Sequence, residues 1–344
     1  MTSLKKILVL GGGGFIGRNI VKSLVERGDC HVTAADIIEG SNWKDLVNSS
    51  PDRFNSLLGD FTKMDTFEHF KDSFDEIYML AALVGVNRTL KNPADVIQTN
   101  TKLTTNVLDW LERNPVKKLL FSSSSENYAA TSEIFAAEIP TKEDVPLCIG
   151  DISHPRWTYA ITKIHGESAF IHSAGKLGYD WRIVRYQNII GPGMGFGHAI
   201  PHIVERFVCK VECPIKIYGH DQTRAFCSIE DAVKGTVGAM ESKDQTNNIY
   251  HIGNDFEITI EELTIFIGDL LGYDGEYERA MTYPGSVSRR CPNIQKSVSH
   301  FGYNPRVHWK DAVSNTVDWY RKYFEAGLKP SIGGFEAPET VMSQ

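Results

Sequence analysis

The sequence predicts an α/β protein with a doubly wound parallel sheet and a smaller mixed α/β region. Three observations support this fold class. Apolar runs alternate with amphipathic segments in the first half of the chain, a glycine cluster follows the first apolar run, and the alternation loosens after Asn188. Alternating strands and helices form βαβ units, whose strands are parallel and whose crossovers are right-handed. The first half is therefore expected to build the sheet.

Short apolar runs in the first half predict buried strands, and longer amphipathic segments between them predict helices. The predicted strands are Lys6–Leu10, His31–Ala35, Phe54–Leu58, Glu76–Leu80, Val116–Phe121 and Trp181–Tyr186. The predicted helices are Phe15–Arg27, Pro93–Arg113 and Trp157–Leu177.

A glycine-rich joint, Gly191 to Gly197, precedes the less regular second half. The elements predicted there are helices near His198–Lys210, Glu230–Glu241, Ile260–Leu271 and His308–Phe324, and strands near Ile215–Tyr218 and Ala225–Ile229. The tail from Gly327 is expected to be loosely ordered.

The composition excludes several classes of protein. The 344 residues carry 36 Lys and Arg against 43 Asp and Glu, a net charge of −7, which excludes a general basic surface for nucleic acid or anionic membranes. The longest nearly uninterrupted apolar run, Ile77–Val86, is about half the length of a membrane helix. The N-terminal run Ile7–Leu10 is too short for a secretory signal. Six scattered cysteines form no CxxC pair, so we expect no metal site and a cytoplasmic location.

The glycine cluster stands between the first predicted strand and the first predicted helix. Gly11, Gly14 and Gly17 have the GxxGxxG spacing of a dinucleotide-binding Rossmann fold. In this motif one glycine allows a tight turn, one lets the backbone approach a pyrophosphate, and one allows the helix to pack closely on the strand. The N–H groups at the helix start, around Phe15 and Ile16, would face the phosphates. A purely structural glycine turn is the alternative.

Acidic residues after the next two strands point to the rest of the dinucleotide. Asp36 ends the second strand, where a carboxylate can accept both ribose hydroxyls and repel a 2′-phosphate, so NAD is favoured over NADP. Asp60 and Phe61, after the third strand, would lie near the adenine. The alternatives are that Asp36 caps the following loop and that Gly59-Asp60 is an ordinary turn.

Tyr159 and Lys163 lie four residues apart on a predicted helix and share one face. An ammonium group beside a phenol lowers the pKa of the phenol, which would make Tyr159 a general base for an alcohol. The glycine loop and the hydroxyl-rich run Ser122–Glu126 at a strand end support the interpretation of this pair as catalytic.

The motifs together resemble the extended short-chain dehydrogenase/reductase family, which comprises nucleotide-sugar epimerases, dehydratases and decarboxylases. The matching pieces run in the family order from about residue 6 to 320. They are VLGGGGFIG (9–17), Asp36, LAA (80–82), FSSSSENY (121–128), YAITK (159–163), RYQNIIGP (185–192) and IYGHDQTRAFCSIEDAVKG (217–235).

The resemblance implies a role for each matching residue. Ser124 would hold the sugar hydroxyl, Tyr159 would take the O4 proton as hydride leaves C4, and Lys163 would bind the nicotinamide ribose. Ala81 and Ala82 would line the cofactor. The residues expected to contact the nucleotide-diphosphate sugar are Asn188 and Arg224 at the diphosphate, His198 near the nucleobase, and Arg290 among four arginines (with Arg88, Arg185 and Arg289) that could meet a sugar carboxylate. A homodimer is also implied.

The two positions after Ser124 bear on the net reaction. A 4,6-dehydratase commonly has an Asp-Glu pair there, whereas this chain has Ser125 and Glu126, so dehydration ranks third. The Ser-Glu pair and Pro155-Arg156-Trp157 are similar to UDP-glucuronate decarboxylases, which ranks decarboxylation second. Epimerisation ranks first because it needs the fewest extra groups. A net dehydrogenase and a non-catalytic nucleotide sensor are the alternatives outside this class.

The expected domain organisation follows from these assignments. Residues 1–186 would form the NAD-binding Rossmann domain. Residues 187–326 would form mainly a substrate-capping region interleaved with that domain, and 327–344 a loose tail.

Overall fold

The computed structural model describes residues 4–243, 245–282 and 287–328, with the exception of the side chains of Val86, Asn87, Ser132 and Glu133. Most of the predicted tail, residues 329–344, lies outside the described residues.

The strands follow the sequence prediction closely in the first half. They are β1 (Lys5–Leu10), β2 (Cys30–Asp36), β3 (Phe54–Leu58), β4 (Glu76–Met79), β5 (Lys118–Ser124), β6 (Asp180–Tyr186), β7 (Ile189–Ile190), β8 (Ile215–Tyr218), β9 (Thr223–Ala225), β10 (Cys227–Ser228), β11 (Asn248–Ile252), β12 (Glu257–Thr259), β13 (Tyr277–Ala280) and β14 (Arg289–Arg290). Strand β5 runs on to Ser124, beyond its predicted end, because Ser122, Ser123 and Ser124 continue to pair with β6.

The long helices also match their predictions. The helices are α1 (Phe15–Arg27), α2 (Trp43–Ser49), α3 (Val86–Lys91), α4 (Pro93–Leu111), α5 (Ala129–Ile134), α6 (Trp157–Leu177), α7 (Ala199–Val208), α8 (Ile229–Glu241), α9 (Ile260–Leu270), α10 (Gln295–Phe301) and α11 (Trp309–Glu325), and short 3₁₀ helices span Met64–His69 and Ser125–Tyr128.

The main sheet of the described residues has seven strands in the order β3-β2-β1-β4-β5-β6-β11, and all its pairings are parallel. Helices α1 and α8 cover one face, where Ile20, Val21 and Ala232 are fully buried. Helices α4 and α6 cover the other face, with Val107 and Phe170 in its core. The predicted doubly wound α/β sheet is therefore confirmed, and strand order reverses between β1 and β4, where such folds bind ligands.

The second half forms a smaller mixed region around α7, α9 and α11, with its own apolar core. The single strand predicted at Ala225–Ile229 is wrong. Two short strands, β9 and β10, flank Phe226, and helix α8 already begins at Ile229. The Ser228 hydroxyl accepts a hydrogen bond from the Asp231 N–H at 3.1 Å, and this N-cap starts the helix early.

The chain returns to the main sheet after Tyr186. Strand β11 pairs with β6 along five residues, and α8 packs beside α1. The sheet and the smaller region are thus built from alternating stretches of the chain.

Helix α6 lies close against β5 because residue 166 is glycine. A Cβ atom at Gly166 would clash with the buried ring of Phe121. We predict that Gly166→Ala lowers the free energy of unfolding by about 1–3 kcal/mol, the usual cost of overpacking a core. Urea unfolding followed by circular dichroism measures this change.

Gly175→Ala is the matched control in the same helix, where a Cβ would meet nothing within 4 Å. It should raise stability by up to about 1 kcal/mol through helix propensity. Equal effects of the two substitutions would contradict the close packing of α6 on β5.

Candidate active site

The glycine loop forms a tight turn between β1 and α1. Gly11 has φ +92°, and a Cβ there would clash with the main chain of Ala81 at the end of β4. A Cβ at Gly17 would clash with the Gly11 carbonyl. A Cβ at Gly14 would have only the Gly11 carbonyl oxygen within 4 Å, at 3.5 Å, which is an ordinary contact. Gly11 and Gly17 therefore serve packing, and the open face of the turn lies at Gly14.

The start of α1 is suited to a dinucleotide diphosphate. Gly14 is the N-cap and has no side chain to accept the first helical N–H groups. The first turn reads Phe15-Ile16-Gly17-Arg18, so these N–H groups have a neutral or positive surrounding. The residues present thus fit a pyrophosphate, as the sequence predicts.

The carboxylate of Asp36 lies beside the glycine loop. It accepts hydrogen bonds from the N–H of Gly13 at 3.0 Å and of Ile37 at 2.6 Å. Burial raises the pKa of Asp36, and these N–H groups oppose the shift. Asp36 therefore caps its own loop, and this role is compatible with the predicted contact to a ribose diol.

Asp60 and Phe61, the two residues predicted to lie near the adenine, have different surroundings. Asp60 accepts from the Thr62 hydroxyl at 2.7 Å, a bond that lowers the Asp60 pKa. The Phe61 side chain is buried and stacks on Phe70 at 5.5 Å, so it serves the core rather than the adenine pocket. Any cofactor contact at Phe61 would have to come from its main chain.

Ser124, Tyr159 and Lys163 lie together above the carboxyl end of β5. The Ser124 side chain lies near Tyr159 and acts to lower the pKa of its phenol, and the Ser124 hydroxyl accepts a hydrogen bond from the Glu126 N–H at 3.2 Å. The Lys163 ammonium donates to the Ser122 carbonyl at 2.7 Å and lies 5.7 Å from the Tyr159 ring centroid. The structure thus brings the predicted reacting residues together.

The pKa of Tyr159 differs from the sequence expectation. Burial and the Glu126 charge raise it, and only the neighbouring Ser124 side chain lowers it. Burial also lowers the pKa of Lys163 to about 7, so near neutral pH the lysine is only partly charged. The expected lowering of the tyrosine pKa is absent from the described structure because Lys163 points its ammonium at Ser122.

Glu126 is surrounded by arginines. Arg290 donates to its Oε1 at 2.6 Å and to the Ser125 hydroxyl at 3.4 Å, while Arg156 lies 3.8 Å from Oε2. Burial favours a raised pKa for Glu126, but the charges of Arg290, Arg156 and Arg224 outweigh it and lower the pKa. Glu126 is therefore an ionised carboxylate. Within the described residues, the positive charges of three arginines act on this one negative charge.

The remaining predicted substrate residues border the same cluster. Arg224 donates to the Val287 carbonyl at 2.7 Å, and burial together with Arg290 lowers its pKa to about 10. Burial lowers the pKa of His198, and the Glu126 charge opposes this shift. Asn188 has φ +42° and donates to the Ala225 carbonyl at 3.1 Å.

The structure also separates the arginines that sequence reasoning left open. Arg185 is buried against Glu167, and Arg289 pairs with Glu257 at the surface, so neither faces the site. Arg290 does. Sequence reasoning missed Arg156 as a site residue, although its position beside Trp157 at the start of the Tyr159 helix was a usable signal.

A dinucleotide-binding glycine loop together with a Ser-Tyr-Lys group is typical of an enzyme that transfers hydride between a dinucleotide and an alcohol. The model of one family matches residues 7–253: the NAD dependent epimerase/dehydratase family. The chain belongs to this family, its cofactor is NAD, and the resemblance drawn from the motifs is confirmed.

Individual relatives span several reactions. The chain is 29% identical to a UDP-N-acetyl-alpha-D-glucosaminuronate decarboxylase of Bacillus cytotoxicus over 92% of this chain and 98% of the relative. It is 28% identical to a dTDP-glucose 4,6-dehydratase of Actinoplanes over 92% and 98%. A solved UDP-N-acetylglucosamine 4-epimerase from Methanobrevibacter ruminantium has a TM-score of 0.77 at 25% identity, covering 93% of this chain and 99% of that one.

The described residues lack two features. They contain no helix that is both long and apolar enough to span a bilayer. They also contain no group of three or more His, Cys, Asp or Glu side chains arranged to hold a metal ion.

The position of Asp36 generates a binding prediction. We expect Asp36→Ala to weaken NAD binding about tenfold, or about 1.4 kcal/mol, because the ribose loses its acceptor. NADP binding should change less, since the carboxylate that repels the 2′-phosphate is also removed. Isothermal titration with both dinucleotides measures the two affinities.

Glu39→Gln is the control, because it removes an exposed charge from the same loop. An Asp36→Ala protein that binds NAD as tightly as the Glu39→Gln protein would contradict the assignment.

Proposed function

We propose that this protein removes CO₂ from a nucleotide-diphosphate hexuronate by transient oxidation at C4. The observation that carries the proposal is the contact of Arg290 with Glu126 and Ser125, directly beside the Ser124–Tyr159 pair. It supplies the cation for a sugar carboxylate that the sequence alone could not assign. This arrangement moves decarboxylation ahead of epimerisation, which the sequence ranks first.

The first step would be shared by all reactions of this class. Bound NAD supplies the hydride acceptor. Ser124 would hold the C4 hydroxyl against Tyr159, and Tyr159 would accept the O4 proton as the C4 hydride leaves. Lys163 would bind the nicotinamide ribose, and its charge would support the phenolate once the ammonium turns from the Ser122 carbonyl toward Tyr159. The product of this step is a 4-keto sugar that is still bound.

The second step follows from the position of the sugar carboxylate. With a ketone at C4 and a carboxylate on C5, the sugar is a β-keto acid. The C5–C6 bond breaks, CO₂ leaves, and the electron pair moves to the enolate oxygen at C4, which protonated Tyr159 can stabilise. C5 then takes a proton from solvent, the hydride returns to C4, and Tyr159 gives its proton back to O4, so the sequence of steps is redox-neutral and consumes one proton.

The charge balance at Glu126 supports an anionic substrate. Arg156, Arg224 and Arg290 place three positive charges around one carboxylate. A diphosphate near Arg224 and a sugar carboxylate near Arg156 and Arg290 would compensate the excess. Guanidinium groups suit both, because their planar donor pairs match phosphate and carboxylate oxygens.

Epimerisation at C4 is the second candidate. It needs only Ser124, Tyr159 and Lys163 and a sugar that can turn over in the site. The solved 4-epimerase with a TM-score of 0.77 supports it. Dehydration lacks support because the position of the usual acid is occupied by Ser125.

We further propose a cytoplasmic homodimer. The cysteines of the described residues are all free, which suits a reducing compartment. The resemblance to the family supports a dimer in which α4 and α6 of each subunit form the contact.

A panel of nucleotide sugars tests the proposal. Purified protein with NAD is expected to convert UDP-glucuronate, or its N-acetylated analogue, to a product lighter by the mass of CO₂. Tyr159→Phe should abolish turnover while leaving the fold intact, because only a hydroxyl is removed. An isomer of unchanged mass would establish epimerisation instead, and a Tyr159→Phe protein with full activity would contradict the shared first step.

Arg290→Met tests the cation for the carboxylate. We expect CO₂ release to fall by about 100-fold or more, as when one charge-stabilising donor is removed from an active site. Reduction of bound NAD by the added sugar should persist, because Tyr159 and Lys163 are unchanged. Product mass and NADH absorbance measure the two steps separately.

Arg289→Met is the matched control, since this neighbouring arginine pairs with Glu257 and has an exposed side chain. Equal losses in the Arg289→Met and Arg290→Met proteins would show that the assignment of Arg290 is wrong.

A further inference from the structure

Helix α6 presents a third polar residue on the face that carries Tyr159 and Lys163. Glu167 follows Lys163 by four residues and Tyr159 by eight, so the three side chains lie along one side of the helix. Glu167 and Lys163 are each only 4% exposed. A buried carboxylate is costly unless it is paired and hydrogen-bonded, and its contacts therefore indicate what it does.

The first set of contacts reaches the turn that carries Glu126. The Oε1 atom of Glu167 accepts from the Ser123 hydroxyl at 2.5 Å and from the Asn127 amide at 2.9 Å. The Asn127 amide also donates to Ser123 at 3.1 Å. These two partners flank the segment Ser124–Glu126, so one carboxylate on α6 holds both ends of that segment.

The second set of contacts balances the charge of Glu167. Arg185 on β6 donates from Nε to Oε1 at 2.8 Å and from Nη2 to Oε2 at 2.6 Å. Arg185 also donates to the Tyr128 hydroxyl and, at 2.9 Å, to the Glu143 carbonyl. The two-point geometry fixes the carboxylate plane, which a single bond would not do.

The third contribution is electrostatic and acts on Lys163. The ammonium donates to the Ser122 carbonyl at 2.7 Å and stands over the Phe121 ring at 4.8 Å. The charge of Glu167, one helical turn away, opposes the desolvation that lowers the Lys163 pKa. The Tyr159 ring centroid lies 5.7 Å from the Lys163 ammonium, and Arg185 on β6 pairs with Glu167.

We propose that Glu167 is a positioning residue for the active site, which locks α6 to the Ser124–Glu126 segment and favours the charged form of Lys163. This inference rests on the proposed roles of Ser124, Tyr159 and Lys163, and it holds for either decarboxylation or epimerisation. It goes beyond a purely structural role because it predicts a change in the pH dependence of catalysis.

Glu167→Gln tests the proposal, since it keeps the shape and removes the charge. We expect kcat to fall about 10- to 100-fold with a smaller change in KM for UDP-glucuronate, as for misplaced reacting groups. Loss of the negative charge, together with the unpaired Arg185 cation, disfavours protonated Lys163. The basic limb of the kcat/KM profile should therefore move to lower pH by about one unit. NAD affinity, titrated across the same pH range, should show a parallel shift.

Glu143→Gln is the matched control. Glu143 is a buried carboxylate of the same network, but it accepts from the His251 N–H and does not touch α6. It is expected to lower stability and leave both pH profiles in place. If Glu167→Gln fails to fold, the double substitution Glu167→Gln with Arg185→Met removes the unpaired cation and should show a smaller shift in the same direction.

The outcomes separate this inference from the proposed function. A wild-type protein that releases CO₂ from neither UDP-glucuronate nor its N-acetylated analogue overturns the decarboxylation proposal, while NAD titration still tests Glu167. Profiles of Glu167→Gln that coincide with those of Glu143→Gln would overturn the positioning role of Glu167.

Discussion

The packing of α6 against β5 is the contact on which the candidate active site depends. Gly166 lets the helix approach until the Phe121 ring fills the space, and the same ring lies beneath the Lys163 ammonium. The helix contributes Tyr159 and the strand contributes Ser124. Because both elements are anchored in the main core, the reacting groups are positioned by regular structure rather than by mobile loops, which favours precise geometry.

Electrostatics impose the second constraint. The chain has a net charge of −7, yet its ligands are anions. The protein meets this demand locally, through the open N-terminus of α1 and the arginines around Glu126. Burial lowers the pKa of Lys163 to about 7 and that of Arg224 to about 10. An arriving anion would reverse part of that shift, so ligand binding and the charging of the site favour one another.

Much of the fold could be predicted from the sequence because its signals are local. The ends of α1 and α6 agree with their predictions, since glycines at positions 28 and 178 stop both helices in the left-handed conformation. The split at Phe226 could not be predicted, because pairing with distant β12 and β7 decides it. In the candidate site, too, local patterns identified some residues, whereas long-range contacts could not be predicted.

Spacing identified Tyr159 and Lys163, whereas the preference for Arg290 over Arg185 and Arg289 depends on contacts across 164 residues of chain. The tyrosine pKa was misjudged for a related reason. Sequence spacing says that Lys163 is near Tyr159, but it does not reveal that the Ser122 carbonyl holds the ammonium. Long-range contacts and burial are the two quantities that local patterns do not contain.

The return of the chain to the main sheet has a consequence for how the molecule unfolds and evolves. Without β11, strand β6 would be an open edge, and without α8 the apolar face beside α1 would be exposed to water. The cofactor half therefore cannot be cut free as an autonomous module, and the two regions should melt in one cooperative transition. New specificities in such a scaffold can arise by exchanging loops, while exchange of a whole contiguous half would destroy the sheet.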